Sequence, residues 1–121
     1  MLPFLLVDDN HEILSFLKWE LQEVGILSMQ ADNCQDAIEI LKEIELKAIF
    51  LDIVLGHENS EKILSFLKSE ENLKNKAIKV ILMSGLIDES FSDKYRNKFF
   101  EILEKPFTSE ELSQLILKLI K

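Results

Sequence analysis

The sequence predicts an α/β fold with a central parallel sheet, and three observations support that prediction. Short apolar runs alternate with longer segments whose apolar residues have helical spacing, as in consecutive strand–helix units. The apolar runs are continuous rather than alternating, which is typical of parallel strands buried on both faces. Connections between such strands are right-handed, so we expect helices on both faces of the sheet.

Five short apolar runs are predicted to be the strands, because each is shorter than an average helix. In chain order they are Phe4–Val7, Ile26–Met29, Ala48–Leu51, Ile78–Met83 and Phe99–Leu103. The chain has 121 residues and no linker, repeat or low-complexity stretch, so we expect a single domain over residues 1–121.

The segments between and after these runs are predicted to be helices. They are Glu12–Val24, Cys34–Leu46, Ser60–Glu70, Asp88–Asn97 and a last segment from Thr108 to Leu119. Gly25 directly follows the first predicted helix, at a position where glycine is common. Asn33 directly precedes the second predicted helix and is a suitable N-cap for it. Thr108 and Glu111 have the spacing of a capping box. The fourth segment has the fewest apolar residues at helical spacing, so we expect it to pack weakly against the sheet.

The composition favours a globular protein whose partners are other proteins. With 14 Lys and Arg against 22 Asp and Glu, the net charge is −8, so we expect neither nucleic acid nor an anionic membrane as a partner. Cys34 is the single cysteine and cannot form an internal disulfide, so a reducing cytoplasm is the expected compartment. The apolar N-terminus is too short for a membrane span and lacks the basic flank of a signal peptide.

Chemically distinctive residues stand at the ends of four predicted strands. Asp8 and Asp9 follow the first strand, Asp52 the third, Ser84 the fourth and Lys105 the fifth. In open parallel sheets, ligands bind outside the carboxyl ends of the strands, so these side chains are expected to converge. Carboxylates can bind Mg²⁺ or act as nucleophiles, while a hydroxyl and an ammonium can bind phosphoryl oxygens. The set therefore predicts a phosphoryl-transfer site.

Each of these residues also has an ordinary structural interpretation. Asp9 could N-cap the first helix, since Glu12 lies three residues later. Asp52 and Ser84 could be turn residues, and Lys105 could be a solvated strand end. These alternatives do not explain why all four strand ends carry complementary chemistry, so we favour the functional interpretation.

The ordered set resembles the receiver domain of two-component response regulators, over essentially the whole chain. In that family an acid pair ends the first strand, the phosphoacceptor Asp the third, Ser or Thr the fourth and a Lys-Pro pair the fifth. Here these positions are Asp8, Asp9, Asp52, Ser84 and Lys105-Pro106. The resemblance implies a doubly wound (βα)5 fold of the flavodoxin-like, CheY-like type, with a five-stranded parallel sheet of order 2-1-3-4-5.

The resemblance also implies roles for the acidic residues. Asp52 would accept a phosphoryl group from a histidine kinase or a histidine phosphotransfer protein. Asp9, Asp52 and the backbone carbonyl of Val54 would bind Mg²⁺ directly, and Asp8 would act mainly through water.

The remaining family positions would stabilise and transmit the phosphorylated state. Lys105 would pair with the phosphoryl group, Ser84 would move toward it, and the Lys105-Pro106 bond is expected to be cis. The signal would leave through the face formed by the segment Asp88–Asn97, the fifth strand and the fifth helix, toward an unknown downstream protein.

The chain departs from the family's usual pattern at three places. Gly56 replaces the Pro that usually lies four residues after the phosphoacceptor, and Asn59-Ser60 replaces a frequent Asp-Gly. Ile102 replaces the aromatic switch residue three positions before the lysine. The last departure predicts an altered coupling between phosphorylation and the signalling face.

Two rival functions remain open. A receiver-like module that binds without phosphorylation is favoured by Ile102 and opposed by the intact set of acids, serine and lysine. A Mg²⁺-dependent phosphatase or phosphotransferase would need a further acid or base, but Val54 stands two residues after Asp52. We therefore expect a stand-alone receiver that catalyses only its own phosphorylation and dephosphorylation and is not otherwise an enzyme.

Overall fold

A five-stranded parallel sheet forms the centre of the computed structural model, which describes residues 1–56, 58–85 and 99–121. Its strands are β1 (Phe4–Val7), β2 (Ser28–Ala31), β3 (Ala48–Asp52), β6 (Lys79–Ser84) and β7 (Glu101–Glu104). They lie in the order β2-β1-β3-β6-β7, and every neighbouring pair is parallel. Counted along the chain, this is the predicted order 2-1-3-4-5, so the predicted fold is confirmed.

Four helices are described around this sheet. They are α1 (His11–Glu23), α2 (Cys34–Glu43), α3 (Glu61–Lys68) and α4 (Ser109–Ile120). Asn33 caps α2, and Thr108 and Glu111 form the predicted capping box at the start of α4. The predicted helix Asp88–Asn97 lies outside the described residues.

Two apolar layers hold the helices against opposite faces of the sheet. On one face, Leu5, Ile49 and Leu82 pack with α2 and α3; on the other, Phe4, Phe50 and Ile81 pack with α1 and α4. Successive residues of a strand point to opposite faces, so each continuous apolar strand supplies both layers. The predicted placement of helices on both faces of the sheet is thus confirmed. Among the described helices, none has the length and apolar character needed to cross a membrane.

Three predicted strands are shifted toward their C-terminal ends in the structure. The fourth moves by one residue, from Ile78–Met83 to Lys79–Ser84, and the two edge strands start two residues later than predicted. The second was predicted over Ile26–Met29 but covers Ser28–Ala31, because the Ile26 amide still donates to the α1 carbonyl of Leu21 at 2.9 Å. The fifth was predicted over Phe99–Leu103 but covers Glu101–Glu104. Apolar character misled the prediction at both starts, since an edge strand of this sheet tolerates polar residues in its ladder.

A short antiparallel hairpin, missed by the sequence analysis, directly follows β3. Its strands are β4 (Val54–Leu55) and β5 (Glu58–Asn59), which we call together the site hairpin. Gly56 has a φ of 62°, the positive value that two-residue hairpin turns favour. At its base, the buried Ser60 donates to the carbonyl of Ile53 from its backbone N–H at 2.9 Å and its hydroxyl at 3.2 Å. The hairpin therefore starts beside Asp52 and leads into α3.

Candidate functional site

The carboxyl edge of the sheet brings the predicted acids together. Val7 and Leu51 are partners in the ladder between β1 and β3, so Asp8 and Asp52 lie side by side at its end. One side-chain oxygen each of Asp8, Asp9 and Asp52 lies within 4.8 Å of the others. Asp8 is fully buried and Asp52 is 7% exposed, whereas Asp9 is exposed. The predicted convergence of the three acids is confirmed.

Lys105 bridges the two buried acids. Its Nζ lies 2.8 Å from Asp8 Oδ2 and 3.3 Å from Asp52 Oδ2. The side chain is 20% exposed, so the ion pairs lie in a partly desolvated setting where they are stronger than on the surface. The Lys105-Pro106 bond is cis, as expected. Lys105 is therefore a contact of the acids and not a solvated strand end.

The pKa of Asp52 is raised from 3.8 to about 6. Burial is the largest cause, because it disfavours the charged carboxylate, and the neighbouring charge of Asp8 adds to it. The positive charge of Lys105 lowers the pKa but does not cancel these two effects. Among the described residues, three carboxylates lie around the one ammonium that bridges them, so Asp52 bears an electrostatic penalty when it ionises.

Asp9 is positioned by the site hairpin and not by α1. Its Oδ2 accepts a hydrogen bond of 2.9 Å from the backbone N–H of Gly56. The N-cap of α1 is Asn10, whose side chain accepts from the amides of Glu12 and Ile13. The interpretation of Asp9 as a helix cap is therefore wrong, and its carboxylate faces the acidic cluster.

Ser84 and Val54 lie at the same edge. In the ladder between β3 and β6, Asp52 is opposite Met83, so Ser84 lies one residue beyond this pair. The carbonyl of Ser84 accepts from the Lys105 amide at 2.8 Å, which fixes the two strand ends together. The backbone N–H of Val54 donates to Asp52 Oδ1 at 3.4 Å. Val54 is 58% exposed.

The donor chemistry of the cluster fits a hard divalent cation. Three carboxylates lie close enough to share one ion, and Mg²⁺ takes oxygen ligands while keeping several waters. The exposure of Asp9 leaves an open side for water and for a phosphate oxygen. The cation would also offset the excess negative charge that raises the pKa of Asp52.

Sequence reasoning missed two contributors to this site. The Gly56 amide was treated only as part of an unusual loop, and the cap Asn10 was overlooked although it follows the acid pair directly. Asn10 could have been found, since Asn is as good an N-cap as Asp. The role of Gly56 depends on a contact 47 positions apart along the chain, for which the sequence carries no local signal.

Comparisons with known proteins agree on one family. A family model described as the response regulator receiver domain matches residues 4–117. The chemotaxis response regulator CheY4 of Vibrio cholerae has a TM-score of 0.86 at 17% identity, with 98% of each chain covered. A two-component response regulator from Clostridium difficile has a TM-score of 0.84 at 21% identity, covering 99% of this chain and 96% of that one. A receiver domain of a signal transduction histidine kinase from Syntrophus aciditrophicus has a TM-score of 0.82 at 20% identity, covering 99% and 90%.

Proposed function

Because the chain belongs to the response regulator receiver domain family of two-component systems, we propose that it accepts a phosphoryl group on Asp52. The donor is a phosphohistidine on a histidine kinase or a histidine phosphotransfer protein. The whole chain acts as one receiver domain in the cytoplasm, an assignment that the presence of a single cysteine in the sequence supports. The family is not one of classical enzymes, and the chemistry is confined to the domain's own aspartate.

The proposed reaction is an in-line transfer between two side chains. An ionised oxygen of Asp52 attacks phosphorus as the bond from phosphorus to the imidazole nitrogen breaks, and the imidazole leaves with that electron pair and takes up a proton. The product is an acyl phosphate on Asp52. Lys105 lies 3.3 Å from Asp52 Oδ2, within reach of a phosphoryl oxygen on that carboxylate. Ser84 ends the adjacent strand, from which its hydroxyl binds another oxygen.

Mg²⁺ is the proposed cofactor of this transfer. Asp9, Asp52 and the backbone carbonyl of Val54 would hold the ion directly, and Asp8 would act through water. When bound, the ion neutralises charge on the transferred phosphoryl group. Asp8 also holds Lys105 at 2.8 Å, so the residue supports both the metal side and the phosphoryl side of the site.

One observation carries the proposal: Lys105 bridges Asp8 and Asp52 at the carboxyl edge of the sheet. A turn residue or a solvated strand end would not require the lysine after β7 to meet buried acids at the ends of β1 and β3. A buried ion pair with unbalanced acids is a poor stabilising device, because desolvation of the charges offsets their attraction. Its presence at the ligand-binding edge therefore favours a functional role.

The test is intact-mass spectrometry after incubation with acetyl phosphate and Mg²⁺. We expect one phosphoryl adduct on the wild-type chain and none on Asp52→Asn or in the presence of EDTA. Glu61→Gln is a matched control, since it also removes a carboxylate but lies in α3, outside the acidic cluster. An unmodified wild-type chain, under conditions that label a known receiver, would contradict the proposal and favour a receiver-like module that binds without phosphorylation.

The proposed output is a protein contact through the face that includes β7 and α4. Between these elements lies a groove of about 380 Å³, and Ile102, Leu103 and Leu115 contribute its apolar lining. Glu101 and Lys118 form an ion pair of 3.1 Å across it. Ile102, the aliphatic residue at the position where the family usually has an aromatic one, is half-buried in this groove. The predicted segment Asp88–Asn97, which the sequence analysis assigned to the same face, lies outside the described residues.

A further inference from the structure

We propose that the backbone N–H of Gly56 is a positioning group for the metal ligand Asp9, and that it ties the site hairpin to the metal site. The inference rests on the proposed function, because it concerns how the chain holds its own Mg²⁺ ligand. The Gly56 N–H donates to Asp9 Oδ2 at 2.9 Å.

The hydrogen bond restricts an otherwise exposed side chain. Asp8 and Asp52 are buried and contact Lys105, whereas Asp9 is exposed and reaches the cluster from the solvent side. A carboxylate oxygen has two lone pairs, so Asp9 can accept from Gly56 and still offer oxygen to a cation. Groups that orient metal ligands in this way commonly set metal affinity.

The site hairpin gives the Gly56 amide a fixed position. Its strands pair Leu55 with Glu58 and Val54 with Asn59, and Ser60 closes the base through two hydrogen bonds to Ile53. A restrained donor stabilises its acceptor more than a donor on a loop that must first be ordered, because less entropy is lost.

Glycine at this position is favoured by the backbone conformation and not by lack of space. The φ of 62° lies in the left-handed region, while an added Cβ would meet Asp9 Oδ2 at an ordinary 3.9 Å. A proline has no N–H and a φ near −65°, so it could supply neither the donor nor the turn. Asparagine tolerates positive φ and keeps its N–H. Gly56 therefore gives this chain a hydrogen bond that proline at the same position excludes.

Mg²⁺ titration calorimetry of the full chain tests the proposal. We expect Gly56→Pro to weaken Mg²⁺ binding by about tenfold, whereas Gly56→Asn stays within about threefold of wild type. Gly25→Pro is the matched control, because Gly25 also has a positive φ and donates its N–H, to the Gln22 carbonyl, away from the acids. This control should lower thermal stability and leave the Mg²⁺ dissociation constant within about twofold.

A spectroscopic measurement keeps the proposal testable even if Gly56→Pro fails to fold. The chain has three glycines, so selective ¹⁵N-glycine labelling gives three backbone amide signals. Replacement of Asp9 by Asn should move the Gly56 amide proton upfield, because a neutral amide is a weaker acceptor than a carboxylate. The Gly25 signal should stay in place. Titration of the wild-type chain with Mg²⁺ should shift the Gly56 signal, and the midpoint of this shift should equal the midpoint from calorimetry.

The outcomes separate this inference from the proposed function. An unchanged Mg²⁺ affinity in folded Gly56→Pro, or a Gly56 signal indifferent to Asp9→Asn, would overturn the positioning role alone. Absence of Mg²⁺ binding by the wild-type chain would overturn the metal assignment, and the positioning role with it.

Discussion

Two clusters of buried polar residues lie at opposite edges of the sheet, and they differ in how well their members are satisfied. At the carboxyl edge, Asp8 and Asp52 share the ammonium of Lys105 while Asp9 adds a further negative charge. At the other edge, Asn72 and Asn75 are almost fully buried and neutral.

The asparagine pair is satisfied by hydrogen bonds to fixed backbone groups. The Asn75 side chain donates to the carbonyls of Leu41 and Ile44 and accepts from the Leu46 amide, at 2.7 to 2.8 Å. Asn72 donates to the Leu67 carbonyl at 2.8 Å and accepts from the Asn75 amide. The pair thus joins the ends of α2 and α3 to the loop before β6.

The contrast distinguishes a structural polar cluster from a functional one. A neutral cluster with its hydrogen bonds made stabilises the fold and asks for no ligand. The carboxyl edge instead raises the pKa of Asp52 to about 6, mainly by burial and next by the charge of Asp8. A cation would relieve that condition, and the following changes break or sharpen the comparison.

Asn75→Ala should have the largest effect on stability. It leaves two carbonyls and one amide without their partner in a buried place, so we expect a loss of about 3 kcal/mol. Urea unfolding measures the loss, which should be the same from about pH 5 to 8 because asparagine does not titrate. Gln35→Ala, at an exposed position of α2, is the control and should change little. A loss of less than about 1 kcal/mol would show that the pair is dispensable.

Asp52→Asn should stabilise the metal-free protein above about pH 6, by on the order of 1–3 kcal/mol. The raised pKa means that the folded chain binds the Asp52 proton more tightly than the unfolded chain does. Wild-type stability from this group is therefore fully present below pH 3.8 and is lost as the pH rises through about 6. Unfolding curves in EDTA across this range should show the difference between variant and wild type growing with pH; a constant difference would contradict the assignment.

Lys105→Gln should raise the pKa of Asp52 further, because the lysine charge lowers it in the wild-type chain. Titration of the Asp52 carboxyl carbon by NMR, in the absence of metal, measures the change. Lys118→Gln is a matched control, since Lys118 pairs with Glu101 at the groove and not with the acids. An Asp52 titration that is the same in Lys105→Gln and wild type would show that the ion pair is not formed in solution.

These effects rest on parts of the molecule that the sequence revealed to different degrees. The strand order was implied by the resemblance to the receiver family. The meeting of Asp8, Asp52 and Lys105 could be predicted from the residues themselves, because it follows from where apolar runs end in a parallel sheet. Asn75 gave no signal, since the partners of its side chain are backbone groups distant along the chain. Asn72 gave none either, because it bonds to nearby backbone groups in an irregular loop. Polar residues in a loop before a strand are usually exposed, so composition pointed the wrong way.

The site hairpin shows a second limit of sequence reasoning. Each of its strands has two residues, which is too short for any periodicity to appear. Its turn at Gly56 lacks the Asn-Gly or Asp-Gly pair that identifies most such hairpins. The position of the hairpin depends on two contacts. Ser60 bonds to Ile53 at its base, and Asp9, 47 positions from the turn along the chain, bonds to Gly56 only in the folded protein.

Ser60→Ala should have the smallest effect, about 1 kcal/mol, because the backbone hydrogen bond to Ile53 remains when the hydroxyl is lost. Thermal unfolding measures it, and Ser15→Ala, on α1 and away from the hairpin, is the control. A loss as large as that of Asn75→Ala would mean that the hairpin base contributes as much polar stabilisation as the asparagine pair, against this expectation.

We propose that the unbalanced carboxyl edge binds a cation beside Asp52. The most direct test compares urea unfolding of wild type and Asp52→Asn at neutral pH, each with and without millimolar Mg²⁺. We predict that the variant is more stable without Mg²⁺ and that Mg²⁺ stabilises the wild type far more than the variant, in proportion to RT ln(1 + [Mg²⁺]/Kd). Equal responses of the two chains to Mg²⁺, or none in either, would contradict the claim.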